Sequence, residues 1–264
     1  MNRPGPDTSF VERHLGPCLD ALSFLTCLVP PRELRKGLAP CMFWFAPAGC
    51  ILGCFCTLAA ACIHVWLLQR SLPVWAVALM SAWLWLCLAI WLTRALHWDG
   101  LADLADACGS GAQGERFWQI LRDSRLGAMG ALAMLTVFCG QWICLACHIS
   151  LMQWWVLVLA PAWGRACAVW LAAAAPPREV HSLGGVAAAG AADPARCYVA
   201  GLVIILPAAV VCGMPWWQGV LLPAGQYLMM RRLIRTAEAH GGLSGDFLGA
   251  AVELGQLWFL LVLL

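Results

Sequence analysis

With 264 residues, 62% of them hydrophobic and 11% charged, the chain reads as an integral membrane protein and not as a soluble domain. The net charge of +2 says little about partners, but the lack of a basic tract interleaved with aromatics argues against nucleic acid. Sixteen tryptophans suit a protein whose rings sit at the two bilayer interfaces.

Residues 1–40 are amphipathic, and Pro30-Pro31 breaks a short apolar piece from Leu22 to Val29. This segment is expected to lie on the cytoplasmic interface rather than to cross the membrane. The run from Ala21 to Pro30 is short, interrupted and preceded by acidic as well as basic residues, so no cleavable signal peptide is expected. Seven apolar stretches of near-bilayer length follow, at 43–68, 73–94, 128–149, 151–174, 197–213, 215–230 and 247–264. The fifth and sixth are short, so Pro215 between them also suits a re-entrant hairpin. The expected fold is therefore all-α: one polytopic membrane helix bundle over 1–264, with six or seven transmembrane helices. The Ala/Gly-rich stretch from Pro176 to Pro194 reads as a cytoplasmic loop.

The basic residues give an orientation. With the N-terminus inside and seven crossings, fourteen of the sixteen Lys and Arg residues fall on the cytoplasmic side; only Arg70 lies outside and Arg165 within a span. That asymmetry is the positive-inside pattern. The fifteen cysteines are scattered through apolar runs and imply no disulfides. The pair Cys144 and Cys147 lies mid-span without flanking ligands and reads as helix filler.

Chemistry concentrates in three segments. The first, within a cytoplasmic motif at 95–127, is His97-Trp98-Asp99-Gly100-Leu101-Ala102-Asp103-Leu104-Ala105-Asp106. On a helix, Asp99, Asp103 and Asp106 fall at i, i+4 and i+7, on one face. Carboxylates that close repel one another unless a cation holds them, and oxygen ligands favour Mg²⁺. Gly100 leaves room for a phosphate near the backbone. His97 is a candidate ligand, phosphate donor or base. A solvated first helical turn accounts for one or two aspartates, but not for three on one face beside a histidine.

The second segment is Arg122-Asp123-Ser124-Arg125-Leu126-Gly127-Ala128-Met129-Gly130. Here Arg125 offers a fork for a phosphate, with Ser124 beside it, and Asp123 is a candidate to complete the metal shell. Gly127 and Gly130 suit close helix packing. The third, in a cytoplasmic Gly-rich loop at 231–247, sets Ser244 and Asp246 among glycines whose amides suit a phosphate. A helix cap at Asp246 explains that segment equally well. Glu253 is expected to face the bundle and to be paired. Arg165 is equally a phosphate ligand, a snorkelling residue or half of an ion pair, while His64 and His148 read as packing residues.

These motifs, in this order, resemble the cobalamin synthase family (adenosylcobinamide-GDP ribazoletransferase). The resemblance rests on His97-x-Asp99-Gly100-Leu101-Ala102-Asp103-x-x-Asp106 and Asp123-Ser124-Arg125-x-Gly127-x-x-Gly130. It extends to Phe24-Leu25-Thr26 and to Gly241-Gly242-Leu243-Ser244-Gly245-Asp246, where the family usually has Thr at position 244. Ala107 stands where the family commonly has Gly, and Trp98 is bulkier than usual there. The resemblance implies transfer between adenosylcobinamide-GDP and α-ribazole or its 5′-phosphate, with release of GMP. It implies Mg²⁺ on Asp99, Asp103 and Asp106, and a bacterial inner (plasma) membrane with the site facing the cytoplasm. Catalytic roles fall to His97, Asp99, Asp103 and Asp106. Phosphate contacts fall to Gly100, Asp123, Ser124, Arg125, Ser244 and Asp246. Homo-oligomerisation stays open, since no residue argues for it.

Three other readings compete. CDP-alcohol phosphotransferases use an aspartate-rich helix, but their motif continues with an arginine absent here. Membrane prenyltransferases carry two such clusters. A divalent-cation transporter would place its carboxylates mid-membrane.

Overall fold

Apolar runs of bilayer length become long helices, because hydrocarbon leaves backbone polar groups no partner except one another. The computed structural model describes residues 15–32, 39–179 and 213–264, together with Ala187, Pro207, Val210 and Val211. Helix α1 (Gly16–Leu25) leads to a 3₁₀ turn (Ala39–Trp44), then α2 (Phe45–Leu68) and α3 (Val74–Leu92). Next come α4 (Leu96–Gly109), α5 (Glu115–Leu121), α6 (Ala128–Ser150) and α7 (Trp154–Ala174). The chain closes with α8 (Trp216–Ala239) and α9 (Gly245–Val262). Among the described residues there is no strand, only an isolated bridge between Pro177 and Leu243.

The all-α membrane bundle is thus as expected. Five helices among the described residues are long and apolar enough to cross a bilayer: α2 with its preceding turn, α3, α6, α7 and α9. The expected span at 197–213 lies outside the described residues, apart from Pro207, Val210, Val211 and Gly213. So do Arg3, Arg13, Arg35, Lys36 and Arg196 of the basic tally, and all of the 180–194 stretch except Ala187. The stretch at 215–230 differs from expectation. It belongs to a 24-residue helix that runs on through Arg231, Arg232 and Arg235, and α8 is not apolar enough to join the other five.

The helices meet through small residues. Gly49 and Gly53, four apart on α2, press on the backbone of α7; a Cβ at Gly49 would sit 2.6 Å from Pro161 O and Ala162 Cα. This is close approach of the small-xxx-small kind, which lets dispersion act between whole backbones. Helix α7 is the most enclosed span, and it packs on α2 and α9. Outward faces carry bulky apolar groups such as Leu58, Trp75, Trp91 and Leu135, as lipid contact requires. Inside the bundle, Glu253 accepts a hydrogen bond from Gln141 Nε2 at 2.9 Å, and Gln256 Nε2 donates to Gln141 Oε1 at 2.8 Å. His64 and His148 are buried, His64 against Ser81 and His148 against Gln153 and Leu260 O.

Residues 15–32 of the N-terminal segment are docked on the bundle. Ala21, Leu22 and Leu25 are buried, Cys27 N–H donates to Leu92 O at 2.7 Å, and Arg94 donates to Phe24 O at 3.0 Å. These contacts secure the turn from α3 into α4, where Arg94 and Ala95 both adopt left-handed φ values of 54° and 55°. For residues with a Cβ that conformation costs on the order of 1 kcal/mol each, so it persists only where the surroundings hold it.

A candidate active site of four carboxylates at one end of the bundle

Helix α4 is amphipathic. Trp98, Leu101, Ala102, Leu104 and Ala107 are buried, while Asp99 is exposed and Asp103 and Asp106 are half-buried. Its main partners are α9 and α6, and each brings one of the sequence motifs to the aspartates.

Contact with α9 brings Asp246. Gly100 lies against that residue's backbone, where a Cβ would come 2.8 Å from Asp246 Cα and O. The missing side chain at Gly100 therefore serves a helix–helix contact, which the expectation of a phosphate approach did not include. Gly249, which the sequence reading gave no role, completes the contact: a Cβ there would sit 3.0 Å from His97 O. The signal was present in Asp246-x-x-Gly249, a small residue one turn along the same face. Ser244 occupies the position before α9, and its hydroxyl donates to Asp246 Oδ2 at 2.9 Å.

Contact with α6 explains Asp106. Its two oxygens accept from Gly127 N–H and Gly130 N–H, each at 2.7 Å. These amides belong to the start of α6, where a helix has no internal acceptors and a glycine has no side chain to supply one. A carboxylate there also meets the positive end of the helix dipole. A Cβ at Gly127 or Gly130 would collide with the Asp106 carboxylate, so both glycines make room for it. Asp106→Ala is expected to destabilise the protein by about 1–2 kcal/mol, with Asp106→Asn milder because one acceptor oxygen survives. Thermal unfolding in detergent checks this; an unchanged midpoint for the alanine variant would remove the capping role.

The carboxylates of α4 and α9 feel one another. Burial, then the charges of Asp99, Asp246 and Asp106, push the Asp103 carboxyl up to about 7. No hydrogen bond from the described residues reaches the side chains of Asp99 or Asp103, so the repulsion is not relieved within the protein. The expected ligand set of Asp99, Asp103 and Asp106 is not pre-assembled, because Asp106 serves α6. Among the described residues no three His, Cys, Asp or Glu side chains lie close enough to hold a metal ion. The donor chemistry still suits Mg²⁺, which keeps several waters and takes one or two carboxylates together with substrate phosphates.

Two expected partners stand apart. His97 is 6% exposed, and its Nδ1 has no hydrogen-bond partner. Burial, then the Arg165 charge, hold its imidazole well below the usual range. Arg165 itself is 2% exposed and donates to Pro161 O at 3.0 Å. In the second motif, Arg125 grips Asp123 through Nε at 3.0 Å and Nη2 at 2.6 Å, and its backbone N–H adds a bond of 3.1 Å. Those hydrogen bonds bring the Asp123 carboxyl down to about 2. Asp123 is therefore engaged by Arg125 rather than joined to the aspartates of α4. Ser124 and Arg125 are exposed beside it.

The chain has relatives over most of its length. The family model described as cobalamin-5-phosphate synthase matches residues 17–264. An adenosylcobinamide-GDP ribazoletransferase of Nitratidesulfovibrio vulgaris (strain DP4) is 38% identical over 240 residues, covering 88% of this chain and 90% of the relative. Those of Shigella boydii serotype 4 (strain Sb227) and Citrobacter koseri (strain ATCC BAA-895 / CDC 4225-83 / SGSC4696) are 33% and 31% identical, each covering 92% of this chain and 97% of the relative. No solved structure matches. With a match that begins in α1 and ends at the last residue, the chain belongs to the cobalamin-5-phosphate synthase family.

Proposed function

We propose that this protein transfers the adenosylcobinamide phosphate moiety of adenosylcobinamide-GDP to α-ribazole or its 5′-phosphate. The products are adenosylcobalamin or its 5′-phosphate, and GMP. The observation that carries the reading is the family match over residues 17–264, within which one end of the bundle gathers Asp99, Asp103 and Asp246. In this reading the site faces the cytoplasm from a bacterial inner membrane. The positive-inside pattern supports that orientation, since Arg94, Arg122, Arg125 and Arg178 flank the helix ends that carry the cluster and Arg70 lies past the far end of α2.

In this reading a ribazole hydroxyl oxygen bonds to the phosphorus nearer the cobinamide. The bond from that phosphorus to the bridging oxygen breaks, and GMP leaves with the electron pair. Asp99 and Asp103 hold Mg²⁺, with Asp246 beside them; when bound, the ion neutralises charge on the diphosphate and the leaving phosphate. Arg125 swings its exposed guanidinium from Asp123 to a non-bridging phosphate oxygen. The hydroxyl proton passes to a carboxylate of the cluster and not to His97, whose buried ring lies under the Arg165 charge.

The test is a membrane-fraction assay with adenosylcobinamide-GDP, α-ribazole and Mg²⁺, following GMP and the corrinoid by chromatography. A complete cobamide is expected, lost with EDTA and restored by excess Mg²⁺. Absence of GMP from well-inserted protein would overturn the reading, and a labelled lipid product would point to a CDP-alcohol phosphotransferase.

A further inference from the structure

One set of contacts beside the cluster takes part in no step above. Helix α5 has seven residues, too few to be stable alone, yet it is firmly seated, with Phe117 0% and Trp118 3% exposed. The Trp118 indole N–H donates to His240 O at 2.8 Å, and the Phe117 ring stacks on the His240 imidazole at 3.8 Å between centroids. Arg178, just after α7, lays its guanidinium over the Trp118 ring at 3.8 Å and donates to Glu115 Oε1 at 2.8 Å. Its backbone closes the other side: Arg178 N–H donates to Leu243 O at 3.2 Å, and Leu243 N–H donates to Pro176 O at 2.8 Å. Gly242 fits beneath with φ of 132°, and a Cβ there would strike Arg178 N at 2.5 Å.

The segment so gripped, 240–244, joins α8 to α9. It contains two glycines in conformations with positive φ, Gly241 and Gly242, and left to itself would sample many states. Two residues further on is Asp246, whose backbone rests on Gly100. The same α5 follows directly from α4 and runs into the Arg122–Arg125 segment. One short helix and one arginine therefore link all three motifs. The exposed Arg178–Glu115 ion pair adds little by itself, since Glu115 is 78% exposed. The guanidinium on the indole and the paired backbones carry the contact.

We infer that Arg178 is a positioning residue: with Trp118 and Phe117 of α5 it clamps the 240–244 segment and so fixes the Asp246 carboxylate among those of α4. This rests on the reading of the cluster as a divalent-cation site. It acts through the loop, and Arg178 itself touches neither cation nor substrate.

The test is Mn²⁺ binding to purified protein in detergent, followed by electron paramagnetic resonance without substrate and again with adenosylcobinamide-GDP added. Arg178→Ala is expected to weaken Mn²⁺ binding about tenfold or more, the range for residues that orient metal ligands. Arg178→Lys, which keeps a cation over the indole, recovers most of it, and the thermal midpoints of all three proteins stay close. If Arg178→Ala accumulates poorly, Trp118→Phe tests the same clamp, because it keeps a ring and removes the N–H to His240 O. Wild-type Mn²⁺ affinity in both Arg178→Ala and Trp118→Phe overturns the clamp alone. Failure of the wild type to bind Mn²⁺ even with adenosylcobinamide-GDP added overturns the cation-site reading and the clamp with it.

Discussion

Asp103→Asn is expected to lower turnover by about a hundredfold or more while raising the thermal stability of the metal-free protein at pH 8. On the proposed function, activity falls because the cluster loses a carboxylate that would hold a divalent ion against the diphosphate. Stability rises because that carboxylate is half-buried beside three like charges, which is why its acid is pushed up to about 7. An acid whose folded value lies above its unfolded one, about 3.9, is protonated in both states at low pH and costs nothing there. As pH rises the native state must give up a proton it holds more tightly than the unfolded chain. The penalty accordingly grows from about pH 4 and is complete once the pH has passed about 7. Asparagine never ionises, so its advantage should vanish near pH 4 and be largest above pH 7. Added Mg²⁺ should stabilise the wild type more than the variant and narrow the gap. Chromatographic GMP release, with thermal unfolding at pH 4, 6 and 8, separates these effects. Retained turnover would end the role of Asp103 in the site, and a variant less stable at pH 8 would end the account of its repulsion.

The aspartate face was legible because helical spacing alone puts i, i+4 and i+7 together, and the structure keeps Asp99, Asp103 and Asp106 on one side of α4. The division of labour among them was not. Asp106 became the cap of α6 through amides 21 and 24 residues away, a partnership that no local spacing encodes. His97 is a different case, since the signal was there. Two residues before Asp99 it lies about 200° around the helix, on the side that the pattern of Trp98, Leu101 and Leu104 marks as buried. Its separation from the carboxylates follows from the period that grouped them. The misplaced end of α8 has a similar lesson. Charge at Arg231 and Arg232 ends a run of apolar residues but does not end a helix, and no breaker appears until Gly241-Gly242. The link between α5 and the α8–α9 loop joins positions over a hundred residues apart; of it the sequence shows only aromatic residues ahead of the Arg122–Arg125 motif.

Gly100→Val should reduce activity and stability together, unlike Asp103→Asn. A Cβ at position 100 would lie 2.8 Å from Asp246 Cα and O, and those are backbone atoms of the first turn of α9 that cannot rotate aside. The facing glycine leaves no slack either, since a Cβ at Gly249 would already press on His97 O and Cα. Relief requires α4 to move away from α9, which breaks close packing over both helices and costs about 1–3 kcal/mol. The same movement carries Asp99 and Asp103 away from Asp246. A misplacement near 1 Å in a reacting constellation lowers rate by about a hundredfold. Alanine makes the weaker test, because its gain of about 1 kcal/mol in helix propensity over glycine offsets part of the clash. Three measurements on Gly100→Val decide the matter: the thermal midpoint, GMP release and Mn²⁺ binding, all of which should fall. A variant as stable and active as the wild type would mean that α4 and α9 do not depend on this contact. A stable variant that has lost only turnover would instead place Gly100 against the substrate, as its position in the motif first suggested.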